Sequence, residues 1–165
     1  AVVEPDRRTD RQRDRQLAAT DLLRAVLWRG VQGILYVTAH ALSRAGSDDP
    51  LDVLIRVFVE YALDVHGRIM PVFTSDLMYL PDTEKTQLRN AQMDYRAEWI
   101  DAIRSRNPLL TAADANALAQ ALFGYACEII ESPQLRSRPG VTAELETIAR
   151  AILNPTGLRG APPES

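Results

Sequence analysis

Residues 51–65, LDVLIRVFVEYALDV, place all of their charge on one narrow line. The four charged residues are Asp52, Arg56, Glu60 and Asp64, and each lies four positions after the one before. Because side chains four residues apart lie above one another on an α-helix, this spacing predicts a helix with a single polar row. Nearly all other positions are apolar, so the helix would be buried around most of its circumference. The stretch therefore predicts a central helix with other helices packed around it.

Four further segments have the apolar periodicity of amphipathic helices. The first runs for about six turns from Asp21, with apolar residues recurring at spacings of three and four. A long helix opens at Pro81 and ends before Asn107, and two more helices cover residues 111–131 and 142–153. No stretch has the alternation of strands or the turn residues of a hairpin. We therefore predict an all-α fold of five substantial helices and one short irregular helix.

Local signals mark where several helices begin or break. Asp49 is a candidate N-cap before Pro50, a residue that is favoured at the first position of a helix. Thr111 and Asp114 have the spacing of a capping box, with Asp in place of the usual Glu. Pro71 interrupts the segment after the central helix, and a proline inside a helix removes a hydrogen bond. We expect one or two kinked helical turns there.

Composition and charge exclude several classes of protein. A length of 165 residues is typical of one domain, and a net charge of −3 does not indicate a general nucleic-acid binder. No apolar run approaches the ~20 residues of a membrane span, and the N-terminus is charged rather than signal-like. The single cysteine, Cys127, cannot form an internal disulfide, which is usual for intracellular proteins. We therefore expect a soluble, cytoplasmic chain that does not contact membranes.

No residue pattern indicates catalysis or a bound metal. His40 and His66 lie on different predicted helices without a Cys, Asp or Glu at ligand spacing, so a zinc site is not predicted. The sequence has no glycine-rich phosphate loop, no nucleophile elbow and no pair of carboxylates within an apolar stretch. We therefore expect neither an enzyme nor a cofactor.

Two segments resemble a known family. Residues 78–104, MYLPDTEKTQLRNAQMDYRAEWIDAIR, and residues 121–133, ALFGYACEIIESP, are similar to the C-terminal ligand-binding and dimerisation domain of TetR-family transcriptional regulators. In that family a short helix ends in Leu-Pro, a long Arg-rich helix follows, and two C-terminal helices complete the domain. The resemblance covers residues 21–154 and implies a TetR-like helical bundle there.

The DNA-binding part of that family is not evident in this sequence. TetR-type regulators begin with a helix-turn-helix, and residues 6–20, DRRTDRQRDRQLAAT, resemble the opening of its first helix. Residues 20–30, TDLLRAVLWRG, resemble the leucine-rich helix that follows the DNA-reading unit. The resemblance therefore implies that Thr20 and Asp21 are not neighbours in the natural protein. About forty residues would be absent between them, since a three-helix reader needs about that many.

The resemblance implies a ligand-responsive transcriptional regulator of the repressor type. Residues 21–154 would bind a small, mostly apolar effector, and a homodimer would bind operator DNA through the helix-turn-helix that this sequence does not show. Residues 1–20 would be an arm or a remnant of the first DNA-binding helix, and residues 155–165 a disordered tail. The alternative is a helical protein–protein interaction module without a small-molecule ligand. An internal cavity would favour the regulator, whereas a solid core with an exposed apolar groove would favour the module.

Large, adaptable side chains on apolar helix faces are the candidate ligand contacts, because methionines beside a broken backbone pack less tightly than an ordinary core. The family that the chain resembles places its effector between these same helices. A few polar residues among the candidates would orient the ligand through one or two hydrogen bonds. The candidates are Trp28, Leu35, Thr38, Phe58, Tyr61, Met70, Phe73, Met78, Gln92, Met93, Arg96, Trp99 and Phe123.

The helices at residues 111–131 and 142–153 are the candidate dimer surface. The first of them has a polar row formed by Asn116, Gln120, Gly124 and Glu128, and it carries apolar residues on both sides of that row, more than the other helices can obviously cover. Two-fold pairing is the commonest way for a protein to bury such a face. The candidate contacts are Leu118, Leu122, Tyr125, Ile129, Leu145, Ile148 and Ile152.

Overall fold

Six α-helices make up the part of the chain that the computed structural model describes, which is residues 7–64, 67–68 and 80–154. Side chains are described from residue 11 onward. No strand occurs among these residues, so the predicted all-α fold is confirmed. The helices are α1 (Arg7–Arg44), α2 (Pro50–Leu63), α3 (Asp82–Arg106), α4 (Ala112–Glu131), α5 (Pro133–Arg136) and α6 (Val141–Leu153).

Helix α2 is the centre of the bundle, as the sequence predicted. The Asp49 carboxylate caps its N-terminus by accepting a hydrogen bond of 2.8 Å from the backbone N–H of Leu51, and Pro50 occupies the first helical position. The helix contacts α1, α3, α4 and α6. Arg56 and Glu60 of the polar row are exposed, whereas most positions off that row are buried against the surrounding helices. The predicted single polar row is therefore confirmed.

The first turn of α2 is joined to the ends of two other helices by ion pairs. Arg106 Nη2, in the last turn of α3, lies 2.7 Å from Asp52 Oδ2 and 2.8 Å from Asp49 Oδ2. Arg150 Nε of α6 lies 3.3 Å from Asp52 Oδ1. These groups are partly exposed, so each pair stabilises the fold by only ~0–1 kcal/mol. They connect the start of α2 to the end of α3 and to α6.

The central helix ends at Leu63, two residues before the end of the stretch 51–65 from which it was predicted. The chain then turns back against the helix, and the Gly67 N–H donates a hydrogen bond of 3.0 Å to the Asp64 carbonyl. A Cβ at position 67 would overlap the carbonyl group of Ala62. Only glycine allows the backbone to approach the helix end this closely.

Helix α1 begins at Arg7 rather than near Asp21, and it continues through Thr20 without a break. Its 38 residues span about 57 Å at the usual rise per residue. The side chains of residues 11–19 are all exposed, so this end extends beyond the packed part of the bundle. The N-terminal arm is therefore helical in its described part. The absence of residues between Thr20 and Asp21 stays a prediction, which the full gene sequence would test.

The capping box of α4 is present as predicted, and the same kind of local signal explains a helix that was not predicted. The Thr111 hydroxyl accepts from the Asp114 N–H at 3.1 Å, and the Asp114 carboxylate accepts from the Thr111 N–H at 3.1 Å. No helix was predicted between residues 131 and 142, but α5 forms there. The Ser132 hydroxyl accepts from the Leu135 N–H at 3.4 Å and a proline follows at the first position, the arrangement that also starts α2.

The core consists of two clusters of buried apolar side chains. The smaller one, which we call the second cluster, lies between the middle of α1 and the first half of α3. It consists of Leu27, Val31, Leu80 and Leu88, with Leu23, Trp28, Leu35 and Ala91 packed against it. The central cluster lies mainly between α2, α3, α4 and α6 and consists of Leu51, Leu54, Ile55, Phe58, Val59, Trp99, Ala102, Ile103, Leu110, Ala115, Ala119, Leu122, Ala126, Leu145, Ala149 and Leu153.

No helix in the described part of the chain is long and apolar enough to cross a membrane. The kinked turns expected around Pro71 and the disordered tail expected at residues 155–165 lie outside the described residues.

Candidate functional site

Four aromatic side chains from three helices pack against one another at the central cluster. Phe58 comes from α2, Tyr95 and Trp99 from α3, and Phe123 from α4; we call them the aromatic cluster. Their ring centroids are separated by 5.3 Å for Phe58 and Phe123 and by 6.3 Å for Tyr95 and Trp99. The Trp99 ring meets each of the other three edge to face, an arrangement that aromatic rings favour.

The spacing of residues along the helices brings these rings together. Tyr95 and Trp99 lie four positions apart on α3 and therefore share one face of the helix. Phe58 lies off the polar row of α2 and is 1% exposed. Phe58, Trp99 and Phe123 were predicted as ligand contacts, whereas Tyr95 was not. Its spacing from Trp99 is the signal that would have identified it.

Three buried polar atoms at this cluster lack a hydrogen-bond partner among the described residues: Thr38 Oγ1, Tyr95 OH and Trp99 Nε1. We call these three side chains the polar trio. Thr38 is 3% exposed and Trp99 is 0% exposed. On α1, Thr38 lies between Leu35, which packs on the second cluster, and Leu42, which packs on the central cluster. The trio therefore lies where the two apolar clusters meet.

The Tyr95 hydroxyl is buried, although part of its ring is accessible to solvent. Burial raises the pKa of Tyr95, and the nearby side chains of Trp99 and Thr38 act against this rise. Trp99 and Thr38 act on Tyr95 as hydrogen-bonding neighbours, although none of these contacts has the distances and angles of a regular hydrogen bond. A buried polar group without a partner costs ~1–3 kcal/mol, and few such groups occur in a native core. Three such groups side by side make this part of the core the candidate site.

Tyr61 differs from Tyr95 because its hydroxyl has a protein partner. It donates a hydrogen bond of 2.7 Å to the Gly30 carbonyl oxygen of α1. Gly33, one turn further along α1, leaves room for this ring, since a Cβ there would lie only 2.7 Å from the Tyr61 hydroxyl oxygen. Tyr61 was predicted as a ligand contact, and the structure shows it joining α1 to α2.

Three more candidates lie on α3, and they face different surroundings. When the Gln120 side-chain amide is oriented with its oxygen toward Arg96, that oxygen accepts from the guanidinium at 2.8 and 2.9 Å. Arg96 therefore contacts a neutral amide of α4. Gln92 is half-buried, and Met93 is 64% exposed. The structure thus does not bring Met93 into the interior with the aromatic cluster.

The remaining candidates are not part of the aromatic cluster. Trp28 and Leu35 pack against the second cluster rather than against the aromatic cluster. Met70, Phe73 and Met78 lie outside the described residues. Of the thirteen predicted contacts, the structure therefore brings together four around one point, namely Thr38, Phe58, Trp99 and Phe123.

The candidate dimer contacts divide into two groups. Leu122, Ile129 and Leu145 are buried within the chain itself. A partner subunit can therefore reach this surface mainly through the half-buried members, which are Leu118, Tyr125, Ile148 and Ile152.

Cys127 is half-buried, and its surroundings do not favour the reactive thiolate. Burial raises the pKa of the Cys127 thiol, and the nearby Glu131 and Glu128 add to this effect. A thiol with a raised pKa is a poor nucleophile near neutral pH. Among the described residues, no group of three His, Cys, Asp or Glu side chains is placed to hold a metal ion.

Comparison of the sequence with protein-family models and with curated proteins found no match.

Proposed function

We propose that this chain is the ligand-binding and dimerisation domain of a ligand-responsive transcriptional regulator of the TetR type. The observation that carries the proposal is the polar trio, three buried polar groups without a protein partner inside an otherwise apolar core. Binding sites for small molecules typically combine an apolar lining with a few polar groups that orient the ligand. The all-α bundle and the order of its helices agree with the resemblance to that family.

The effector is a small, mostly apolar molecule, because apolar side chains surround the trio. Phe58 and Phe123 pack directly on Trp99, with ring centroids 5.5 Å from it in both cases. Native mass spectrometry of the purified protein tests this part of the proposal. We expect a dimer mass together with a carried or added apolar compound. A protein that carries no ligand, and whose melting temperature no apolar compound raises, would contradict it.

The dimer forms through the half-buried residues of α4 and α6. An obligate interface of this kind buries more than about 2,000 Å² in total. The substitution Ile148→Asp would place a charge in this surface and should convert the dimer to a monomer, as measured by light scattering. Ala97→Asp, at an exposed position on α3, is the matched control and should leave the dimer intact. A wild-type chain that is monomeric at micromolar concentration would exclude the interface.

Operator DNA is bound in the cytoplasm through a helix-turn-helix that is not evident in this sequence. The 165-residue chain itself should bind DNA only weakly, through the arginines at the start of α1, because phosphate contacts carry no base information. Such binding weakens steeply as the salt concentration rises. Sequence-specific DNA binding by this chain would show that the inferred absence of the DNA reader is wrong.

A helical interaction module without a small-molecule ligand is the second candidate, and one observation favours it. Leu17 and Leu22 on α1 are 60% and 66% exposed, close to where the helix leaves the packed bundle. Such side chains could contribute to a contact surface for a protein partner if the partner covers both sides of this end of the helix. The module predicts that Leu17→Ser and Leu22→Ser abolish partner binding, whereas the regulator predicts that they leave ligand binding unchanged.

A further inference from the structure

We propose that the polar trio recognises an uncharged hydrogen-bond acceptor, such as the carbonyl oxygen of a ketone, ester or amide, on an otherwise apolar ligand. The inference rests on the proposed ligand-binding function and specifies the chemical class of the effector. It follows from three properties of the trio: which of its atoms donate, which charges surround it, and what lines it.

The donors of the trio determine the polarity of its partner. Trp99 Nε1 carries a hydrogen and can only donate, whereas the hydroxyls of Thr38 and Tyr95 can donate or accept. A ligand that only donates could therefore not pair with Trp99 itself. A carbonyl oxygen has two lone pairs, so it can accept from Trp99 and from one hydroxyl, while the other hydroxyl donates to its neighbour. An acceptor thus satisfies all three groups together.

The charges around the trio favour a neutral ligand. The groups that act on the Tyr95 hydroxyl are Trp99, Thr38 and Tyr61, and none of them is a cation. Arg96 is the next residue along α3, but its guanidinium faces the Gln120 amide. A carboxylate at the trio would therefore be buried without an opposite charge, which is far more costly than burying a carbonyl group. An ammonium group would also be buried without an opposite charge, and as a donor only it could not pair with Trp99.

The side chains around the trio favour an apolar ligand body. Phe58 and Phe123 present aromatic rings, and Thr38 is flanked along α1 by the apolar Leu35 and Leu42. A ligand that fits this surface has one polar oxygen and little other polarity, since each further polar group would need a partner that these side chains do not offer.

Four probes of nearly equal shape test the proposal on the full chain. Acetophenone carries a carbonyl oxygen, cumene replaces it with a methyl group, benzoate is an anion and alpha-methylbenzylamine is a cation. Binding is measured by titration while the indole N–H signals of the isotope-labelled protein are recorded. We expect acetophenone to bind about tenfold more tightly than cumene, a typical difference for one or two net hydrogen bonds. We also expect acetophenone to bind more tightly than either ion.

The two tryptophans provide an internal control for the position of the probe. Acetophenone should shift the indole N–H signal of Trp99 and leave that of Trp28 nearly unchanged, because Trp28 packs on the second cluster. Cumene should move the Trp99 signal less, since it accepts no hydrogen bond. A shift at Trp28 alone would overturn the proposal.

Variants of the trio separate hydrogen bonding from simple burial. Tyr95→Phe and Thr38→Val each remove one hydroxyl while keeping the size of the side chain, and each should reduce the preference for acetophenone over cumene. Tyr36→Phe is the matched control, because the Tyr36 side chain is 71% exposed on α1, and it should leave the preference unchanged. For each variant, the quantity compared is the ratio of the acetophenone affinity to the cumene affinity.

The outcomes distinguish this proposal from the proposed function. If cumene binds as tightly as acetophenone, or if neither trio variant changes the preference, the acceptor proposal is overturned while binding of an apolar effector stands. If none of the four probes moves the Trp99 signal, the acceptor proposal is also overturned. The proposed function is then tested separately, by native mass spectrometry for a carried ligand and by light scattering for the dimer.

Discussion

Removal of the Tyr95 hydroxyl should stabilise the protein, although most substitutions at buried positions destabilise it. The hydroxyl is buried and has no hydrogen-bond partner among the described residues. Folding therefore removes it from water without compensation, at a cost of ~1–3 kcal/mol. The substitution Tyr95→Phe removes this cost and leaves the ring contacts with Trp99 and Phe123 in place. Allowing for the small space left behind, we expect the free energy of unfolding to rise by about 1 kcal/mol.

Two other tyrosines provide matched comparisons for the same chemical change. Tyr61→Phe breaks the 2.7 Å hydrogen bond to the Gly30 carbonyl and should lower the free energy of unfolding by ~0.5–1.5 kcal/mol. Tyr36→Phe, at a side chain 71% exposed, should change it by less than about 0.5 kcal/mol. The free energy of unfolding should therefore rise in Tyr95→Phe, fall in Tyr61→Phe and change little in Tyr36→Phe, although each variant loses one oxygen atom.

Urea unfolding followed by circular dichroism measures the effect, in the absence of any added ligand. The expected difference between Tyr95→Phe and Tyr61→Phe is about 2 kcal/mol, which corresponds to melting temperatures about 4–8 °C apart for a chain of this size. The dependence of the unfolding free energy on urea concentration should be unchanged, so that midpoints are comparable. If Tyr95→Phe loses as much stability as Tyr61→Phe, the Tyr95 hydroxyl is hydrogen-bonded and the reasoning from the polar trio is refuted.

Three further predictions concern packing and charge. Phe58→Ala should lower the free energy of unfolding by ~3–5 kcal/mol in urea unfolding, because the side chain is 1% exposed. Met93→Ala should lower it by less than about 0.5 kcal/mol, because that side chain is 64% exposed. Equal losses of stability would contradict the buried position of Phe58 and the exposed position of Met93. Gly33→Ala should cost ~1–3 kcal/mol, because its Cβ would lie 2.7 Å from a tyrosine hydroxyl, whereas Gly124→Ala meets nothing within 4 Å and should gain ~0.5–1 kcal/mol from helix propensity. Hydrogen bonds from the α4 N-cap threonine lower the pKa of Asp114 below its usual 3.8, so its carboxylate stabilises the fold above that pH. The stability lost in Asp114→Ala should therefore be present at neutral pH and fade as the pH falls below 3.8; a loss that is the same at all pH values would show that the carboxylate charge is not involved.

The starts of α2 and α4 were predictable because their causes are local. Asp49 caps α2 through an N–H only two residues away, and Thr111 and Asp114 cap each other across three residues. Ser132 and Pro133 are the same kind of signal at the start of α5. Such signals depend on side chains within one turn of the helix end, so they can be read without knowing the fold.

The site was predictable only in part, because periodicity shows that a face is apolar but not what lies against it. Phe58, Trp99 and Phe123 were placed correctly on inward faces, since each lies off the polar side of its helix. Met93 was counted with them because it widens the apolar stripe of α3, yet it is 64% exposed. No helix covers that edge of the stripe in the described part of the chain.

The sequence by itself determined the all-α class, the central position of α2 and the caps, because each follows from spacings of two to four residues. Only the tertiary structure decided which polar groups find partners. Tyr61 reaches the Gly30 carbonyl across 31 positions, and Arg150 reaches Asp52 across 98. Tyr95, with the same side chain as Tyr61, finds none within hydrogen-bond geometry. Whether a buried hydroxyl is paired depends on how two helices cross, and no local pattern in either helix contains that information.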